Sequence, residues 1–279
     1  MPELPEVETT CRGISPYLLD QTIRAVIVRQ PKLRCMISPE ISRLCVGRKI
    51  LAVSRRAKYL IFELSEGYLL NHLGMSGHLR IVDNNTAATK HDHLDLLLSN
   101  GYTLRYNDPR RFGLWLYQAS NPELNRPLVH LGPEPLTDSF DGNYLFQRAK
   151  NKIQNIKSFI MTNEVVVGVG NIYATESLFL ARIHPLMAAG SLSLTQFDVL
   201  SRQIKEVLQQ AIDAGGTTLR DFYASDGKPG YFSNNLQVYG RKNKPCFHCT
   251  SLIQALIIGG RNSAFCPTCQ KYRGLLTFP

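Results

Sequence analysis

No apolar run in this 279-residue sequence approaches the roughly 18 residues that a membrane-crossing helix needs, so a membrane-spanning protein is not expected. The opening Met-Pro-Glu-Leu-Pro-Glu is acidic and lacks the basic-then-apolar layout of a secretion signal. Internal repeats and low-complexity tracts are absent. The seven cysteines are an odd number and no export signal accompanies them, which argues against a disulfide framework. Cys11, Cys35 and Cys45 read as free thiols in a reducing cytoplasm. Acidic residues are scarce where it matters most: none follows Asp226, whereas Lys228, Arg241, Lys242, Lys244, Arg261, Lys271 and Arg273 all do. Those seven cations account for most of a net charge of +10, from 32 Lys plus Arg against 22 Asp plus Glu. Such a surface attracts polyanions, and with a membrane disfavoured, nucleic acid is the better partner. A solvated basic face explains the tail's composition equally well when taken alone.

The hydrophobic fraction of 44% supplies a sizeable core, and the length suits two modest domains. Residues 5–14 read as a helix with Pro5 in its first turn, ended by Pro16. Short runs rich in Val, Ile, Leu and Tyr then predict strands at 22–29, 48–55, 59–64, 68–73, 79–82, 94–99, 102–106 and 114–117. Asn100-Gly101 marks a hairpin between two of them. Regular short strands with tight turns predict a β-sandwich or barrel. Pro122, Pro127, Pro133 and Pro135 then punctuate a linker. Beyond it the pattern turns helical. Phe197, Leu200, Ile204, Val207 and Ala211 recur at helical spacing behind a capping-box-like Thr195–Asp198, and Gly215-Gly216 stops the run. A second helix follows Gly168-Val-Gly170-Asn171, whose glycines suit a helix start that presents N–H groups to phosphate; helix packing explains them as well.

Two features carry chemistry. Cys246-x2-Cys249-x16-Cys266-x2-Cys269 places two knuckles on the turns of a β-hairpin, the arrangement that gives zinc four thiolates in a tetrahedron with no vacant position. Such a site is structural. His248, between two of the ligands, is a competing donor. The second feature is the N-terminus, although Met-Pro-Glu taken alone is far more often an N-terminus with no special role. Met1 precedes the small Pro2, so its removal is expected, exposing an imino group. An α-amine has a reference pKa far below that of lysine, which raises its nucleophilic fraction at neutral pH by up to roughly a few hundredfold. Attack on a sugar C1′ gives an iminium, an electron sink for breaking the neighbouring C–O bond. Glu3 stands beside it as a candidate general acid or base.

Met-Pro-Glu-Leu-Pro-Glu-Val-Glu over 1–8 resembles the opening of the bacterial formamidopyrimidine-DNA glycosylases, which are also called 8-oxoguanine DNA glycosylases. The likeness continues in order through Arg55-Arg-Ala-Lys58-Tyr-Leu, His72-Leu-Gly-Met75-Ser-Gly, Lys90-His-Asp-His93, Asp108-Pro-Arg-Arg-Phe112-Gly and Leu131-Gly-Pro-Glu-Pro-Leu. It extends through Val166-Val-Gly-Val-Gly-Asn171-Ile-Tyr-Ala, Gly215-Gly-Thr-Thr-Leu, Ser225-Asp-Gly-Lys-Pro-Gly-Tyr-Phe and the cysteine hairpin.

The resemblance implies an α+β chain: an N-terminal catalytic β-sandwich over 1–133, a helix–two-turn–helix DNA-binding domain over 134–230, and a zinc-finger hairpin over 231–279, with DNA crossing between the domains. It implies base-excision repair of oxidised purines in duplex DNA by a bifunctional glycosylase and AP lyase with one structural Zn²⁺. The expected enzyme is a monomer in the bacterial cytoplasm, associated with the nucleoid and not with a membrane. Pro2 would be the Schiff-base nucleophile, Glu3 the acid that opens the sugar ring, and Lys58 the proton donor for β-elimination. Arg261 would grip the phosphates at the lesion and assist δ-elimination, a task suited to its fork. Asn171, Lys152, His91, His72 and Glu6 fall at DNA-contacting positions. An enzyme that extrudes a base must also fill the gap. Met75, Arg110 and Phe112 resemble that wedge, although Met75 and Phe112 taken singly read as core, Lys58 as a surface lysine and His91 as a solvated histidine. Residues 221–231 would form a lid over the flipped base.

Two departures from the family pattern stand out. Leu252, Ile253, Leu256, Ile257 and Ile258 make the cysteine hairpin unusually apolar, and Arg220 stands where relatives often have Lys. A sibling enzyme for oxidised pyrimidines shares the proline and zinc hairpin, but Leu4 and the full 225–232 motif argue against it. A non-enzymatic zinc DNA-binding protein explains the charge and cysteines yet leaves the N-terminus and Lys58 without a role.

Overall fold

The computed structural model describes residues 2–217 and 232–272. Met1, Arg220, Arg273 and the expected lid over 221–231 lie outside them. The described residues fall into two compact units, one within Met1–His130 and Ile212–Ser233, the other within Leu131–Ala211 and Asn234–Pro279.

The first unit opens with α1 (Leu4–Leu18), followed by β1 (Ile23–Val28), α2 (Ile41–Cys45), β2 (Ile50–Arg56), β3 (Tyr59–Leu64), β4 (Tyr68–His72), β5 (His78–Asp83), β6 (Asp92–Leu98), β7 (Tyr102–Asn107) and β8 (Leu114–Gln118). The strands form two antiparallel four-stranded sheets, ordered β1-β6-β7-β5 and β2-β3-β4-β8. All eight expected strands are present, and the two sheets make the expected N-terminal sandwich. Its core takes Leu94, Leu96 and Leu104 from one sheet and Leu60, Phe62 and Leu69 from the other. Trp115 stacks on Phe62 at 5.9 Å and meets Tyr106 edge-on at 5.8 Å.

Helix α1 corrects one expectation. Pro16 does not end it; the helix runs on to Leu18 with Pro16 inside. Near a C-terminus a proline forfeits one backbone bond, and burying Ile14 and Leu18 on the same stripe as Val7 and Cys11 outweighs it.

The outer face of β6 and β7 is covered rather than solvated. Arg105 on β7 pairs with Asp95 through Nε at 3.0 Å and Nη2 at 2.9 Å, and it also donates to the carbonyls of Ala87 and Thr86. Asp92 accepts from Arg80, Asn107 and Thr89. Burial alone would raise the Asp92 carboxyl, but the Thr89 and Asn107 hydrogen bonds and the Arg80 charge hold it down at about 2. Its contribution is therefore present above the ordinary carboxylate range and is lost only as pH falls through about 2. This network pins the loop before His91. Arg105→Ala strips two of the three guanidinium bonds from the buried Asp95 carboxylate, leaving Arg29 Nη2 at 2.7 Å, and removes the donor to the Thr86 and Ala87 carbonyls, so it should cost about 2–4 kcal/mol. A thermal melt at neutral pH checks it: Tm should fall on the order of 10 °C.

The second unit contains α3 (Gly142–Ala149), α4 (Ile156–Ile160), α5 (Asn171–Leu180), most of α6 (Leu194–Asp213), and the hairpin β9 (Gln254–Ile258) and β10 (Arg261–Phe265). The true capping box of α6 lies two residues before the expected one: Ser193 N donates to Gln196 Oε1 at 2.9 Å and Gln196 N donates to Ser193 Oγ at 3.3 Å. Helices and hairpin share one unit because buried polar groups join them. Glu176 on α5 accepts from the backbone N–H groups of Gln237, Val238 and Tyr239 at 2.8, 3.0 and 2.7 Å. Gln270 donates to the Ile183 carbonyl.

Candidate catalytic centre and nucleic-acid interface

In the first unit the candidate centre gathers around the start of α1. Pro2 is buried, and Glu3 caps the helix in a reciprocal box with Glu6, Glu3 N donating to Glu6 Oε2 at 2.8 Å. The other Glu6 oxygen accepts from Thr217 N at 2.8 Å. Glu6 is thus a buried brace, tying the residue after Pro2 to the segment that follows α6.

Lys58 sits in the two-residue turn between β2 and β3, where Arg56 pairs with Tyr59 and Ala57 takes a φ of 55°. Arg55 fixes that turn: its Nη1 donates to the Ala57 carbonyl at 2.9 Å and its Nε to Glu8 of α1 at 2.8 Å. Burial alone would raise the Glu8 carboxyl, yet hydrogen bonds from Arg55 and Arg12 bring it below its ordinary value. The helix that begins at Pro2-Glu3 and the turn that bears Lys58 are therefore one braced assembly.

His72 lies across from Tyr59 in β4, the rings 4.8 Å apart. Burial, followed by the charges of Lys58 and Arg34, lowers it to about 4. Gly74 N donates to its Nδ1 at 2.9 Å, so the neutral ring carries its proton on Nε2 as a ready donor. His91, partly exposed, lies next to the pinned loop with its ring 6.3 Å from that of His93. Met75 and Phe112 are 37% and 45% exposed, and the Arg110 guanidinium stands 5.2 Å over the Phe112 ring. The core reading of Met75 and Phe112 does not hold.

In the second unit Asn171 begins α5. Its amide accepts from Lys157 Nζ at 2.6 Å and donates to the Asn262 carbonyl at 3.1 Å. Lys157 is buried and also reaches Ser263 Oγ at 2.5 Å. These bonds hold the helix start against β10, whose first residue is the exposed Arg261. Lys152 is exposed in the loop before α4. Sequence reasoning missed Lys157 and Glu176, since a lysine and a glutamate at those positions carry no local signature of burial.

The sulfur atoms of Cys246, Cys249, Cys266 and Cys269 all lie within 4.8 Å of one another. A tetrahedral zinc–thiolate site has sulfur–sulfur edges of about 3.8 Å, so the four residues fit the ion. Backbone N–H groups of His248 and Cys269 point at Cys246 and Cys266 sulfurs at 3.4 Å, as thiolates require. His248 turns its ring onto Phe179 instead, 5.2 Å away. Of the apolar hairpin residues, Ile253 is buried in a small core with Val238, Phe179 and Ala264, whereas Leu252 and Ile257 are 60% and 70% exposed.

Residues 1–115 match the family model described as formamidopyrimidine-DNA glycosylase N-terminal domain, and residues 131–223 match that of its H2TH domain. The chain belongs to the formamidopyrimidine-DNA glycosylase family. A formamidopyrimidine-DNA glycosylase of Legionella pneumophila strain Philadelphia 1 is 56% identical over 270 residues, covering 97% of this chain and 98% of that one. Among solved structures, a mutant glycosylase of Lactococcus lactis in complex with Fapy-dG containing DNA superposes with a TM-score of 0.91 at 34% identity, covering 97% of this chain and all of that one. A second complex of the Lactococcus lactis protein, with abasic-site DNA, has the same score, identity and coverage. The glycosylase fold therefore extends over nearly the whole chain.

Proposed function

We propose that this chain excises oxidised purines such as 8-oxoguanine and formamidopyrimidines from duplex DNA and then cuts the strand, with residue 2 as nucleophile. The observation that carries the reading is the Arg55 brace, which joins the Lys58 turn to the helix headed by Pro2 and Glu3. Once Met1 is removed, the Pro2 nitrogen attacks C1′, the bond to the base breaks, and the base leaves with a proton. Glu3 protonates the ring oxygen as the sugar opens to an iminium. Loss of a 2′ proton then pushes electrons into the iminium and expels the 3′ phosphate; the second elimination releases the 5′ phosphate. Lys58 supplies protons at this centre, and Arg261 offsets charge on the phosphates that leave.

His72, His91, Lys152, Asn171 and Glu6 support DNA binding, Glu6 through its brace. Met75, Arg110 and Phe112 fill the space of the extruded base. In this reading 1–133 is catalytic, 134–230 holds duplex DNA, and 231–279 is the hairpin in which Cys246, Cys249, Cys266 and Cys269 hold one Zn²⁺. Bound there, the ion supplies a structural crosslink and no open coordination position. The enzyme works as a monomer in the bacterial cytoplasm, at the nucleoid. Among the described residues no helix is long and apolar enough to cross a membrane.

Borohydride reduces an iminium to a stable amine, so mixing the protein with 8-oxoguanine duplex and borohydride should yield one covalent adduct that maps to residue 2. Absence of an adduct, or one at a lysine, overturns the mechanism. Stronger trapping on thymine glycol than on 8-oxoguanine favours the pyrimidine enzyme.

A further inference from the structure

The wedge residues stand on two separate turns, 73–77 and 108–113, and something must hold those turns in register. Backbone contact is part of the answer. A Cβ on Gly74 would lie 2.4 Å from the Phe112 carbonyl carbon and 2.5 Å from Gly113 N. One on Gly113 would lie 1.6 Å from the Tyr106 hydroxyl. The rest of the answer is Asp108, whose residue is fully buried. Its Oδ1 accepts from Ser76 Oγ at 2.8 Å and from Arg110 N at 3.3 Å. Its Oδ2 accepts from Tyr106 Oη at 2.9 Å and from Gly113 N at 2.9 Å. The Asp108 carbonyl also meets His93 Nε2 at 2.8 Å.

These donors flank all three wedge residues. Ser76 follows Met75, Arg110 is bound through its own backbone, and Gly113 follows Phe112. A buried carboxylate is tolerated only when its lone pairs are filled, and here two hydroxyls and two amides fill them. The Tyr106 phenol stays a donor, since burial and then the Asp108 charge push its pKa above the ordinary value. We propose that Asp108 is the positioning residue of the wedge, locking Met75, Arg110 and Phe112 into one rigid probe. The inference rests on the wedge role given to those three residues under the proposed function.

Asp108→Asn tests it, because an amide nitrogen cannot accept from Gly113 N–H and Tyr106 O–H. The readout is the ratio of cleavage rates on 8-oxoguanine duplex and on an abasic site in single-stranded DNA, which has no stacked partner to displace. That ratio should fall on the order of 30-fold, the size expected for two unsatisfied buried donors. 2-Aminopurine placed beside the lesion should brighten on binding the unaltered protein and not on binding the variant, since its stack stays closed. Equal losses on both substrates with normal brightening, or no loss at all, overturn the inference. Ser76→Ala removes one hydroxyl and covers the case in which Asp108→Asn does not fold. It should lower the same ratio about fivefold, and an unchanged ratio counts against Asp108. If the unaltered protein leaves the 8-oxoguanine duplex intact, the functional reading and the wedge fall together; if it cuts and the variants fail to discriminate, only the Asp108 inference falls.

Discussion

A chain lengthened by one residue ahead of Pro2, or acetylated there, should lose at least about 10⁴-fold in single-turnover excision of 8-oxoguanine while still binding the duplex. Acylation turns the ring nitrogen into an amide, whose lone pair is delocalised and does not attack C1′. Binding survives because one charge among many cations is removed and the phosphate-facing groups are untouched. Pro2→Ala keeps a free amine and should fall much less, roughly 10- to 100-fold, and still trap with borohydride. The pH profile adds a check. The rate should rise with pH as the terminal imino group loses its proton, with no inflection from His72, which is already neutral above about 4. Intact mass on each preparation shows which N-terminus is present. Full-rate cutting by the lengthened chain removes the nucleophile from the scheme.

Local patterns reached the strands because each was short, apolar and bounded by turn residues. They also reached the α6 stop at Gly215 and Gly216, with φ of 77° and 85°. They failed where tertiary contacts decide. Pro16 was expected to break α1, but burial of Leu18 carried the helix past it. Helices α3 and α4 left no signal because eight and five residues are too few to show a period. At the site, residue types with intrinsic chemistry stood out: Pro2, Glu3, Lys58 and the cysteines. Buried bracing groups elsewhere in the fold did not. Lys157 finds Ser263 across 106 residues, and Glu176 finds the backbone of Tyr239 across 63. Asp108 is near Tyr106 and Gly113 in sequence, yet its second hydroxyl donor comes from Ser76, 32 residues earlier. No spacing rule brings such pairs together.

Removing the metal should separate the two halves of the proposed chemistry. A structural zinc contributes about 10–16 kcal/mol, as much as the whole stability of a typical domain. Against that, the hairpin's own core is slight: Val238, Ile253, Ala264 and the first and third ligand cysteines, packed on Phe179. A two-stranded hairpin is marginal by itself, and without the ion four thiols crowded within 4.8 Å have nothing to hold them. Chelation, or Cys266→Ser, should therefore melt the hairpin. Hydrogen exchange should rise across 246–270 and stay low in β2 to β8. Asn262 and Ser263 then no longer hold Lys157, Asn171 loses its carbonyl partner, and Arg261 has no fixed position. Affinity for lesion duplex should drop on the order of 100-fold, from the combined loss of Arg261 and the helix-start contacts. The α1 assembly contains no zinc ligand, so at saturating DNA the borohydride adduct at residue 2 should still form, only more slowly. Undiminished duplex affinity in the metal-free protein would mean that the hairpin is a stabilising appendage, and that Arg261 does not touch the lesion phosphates.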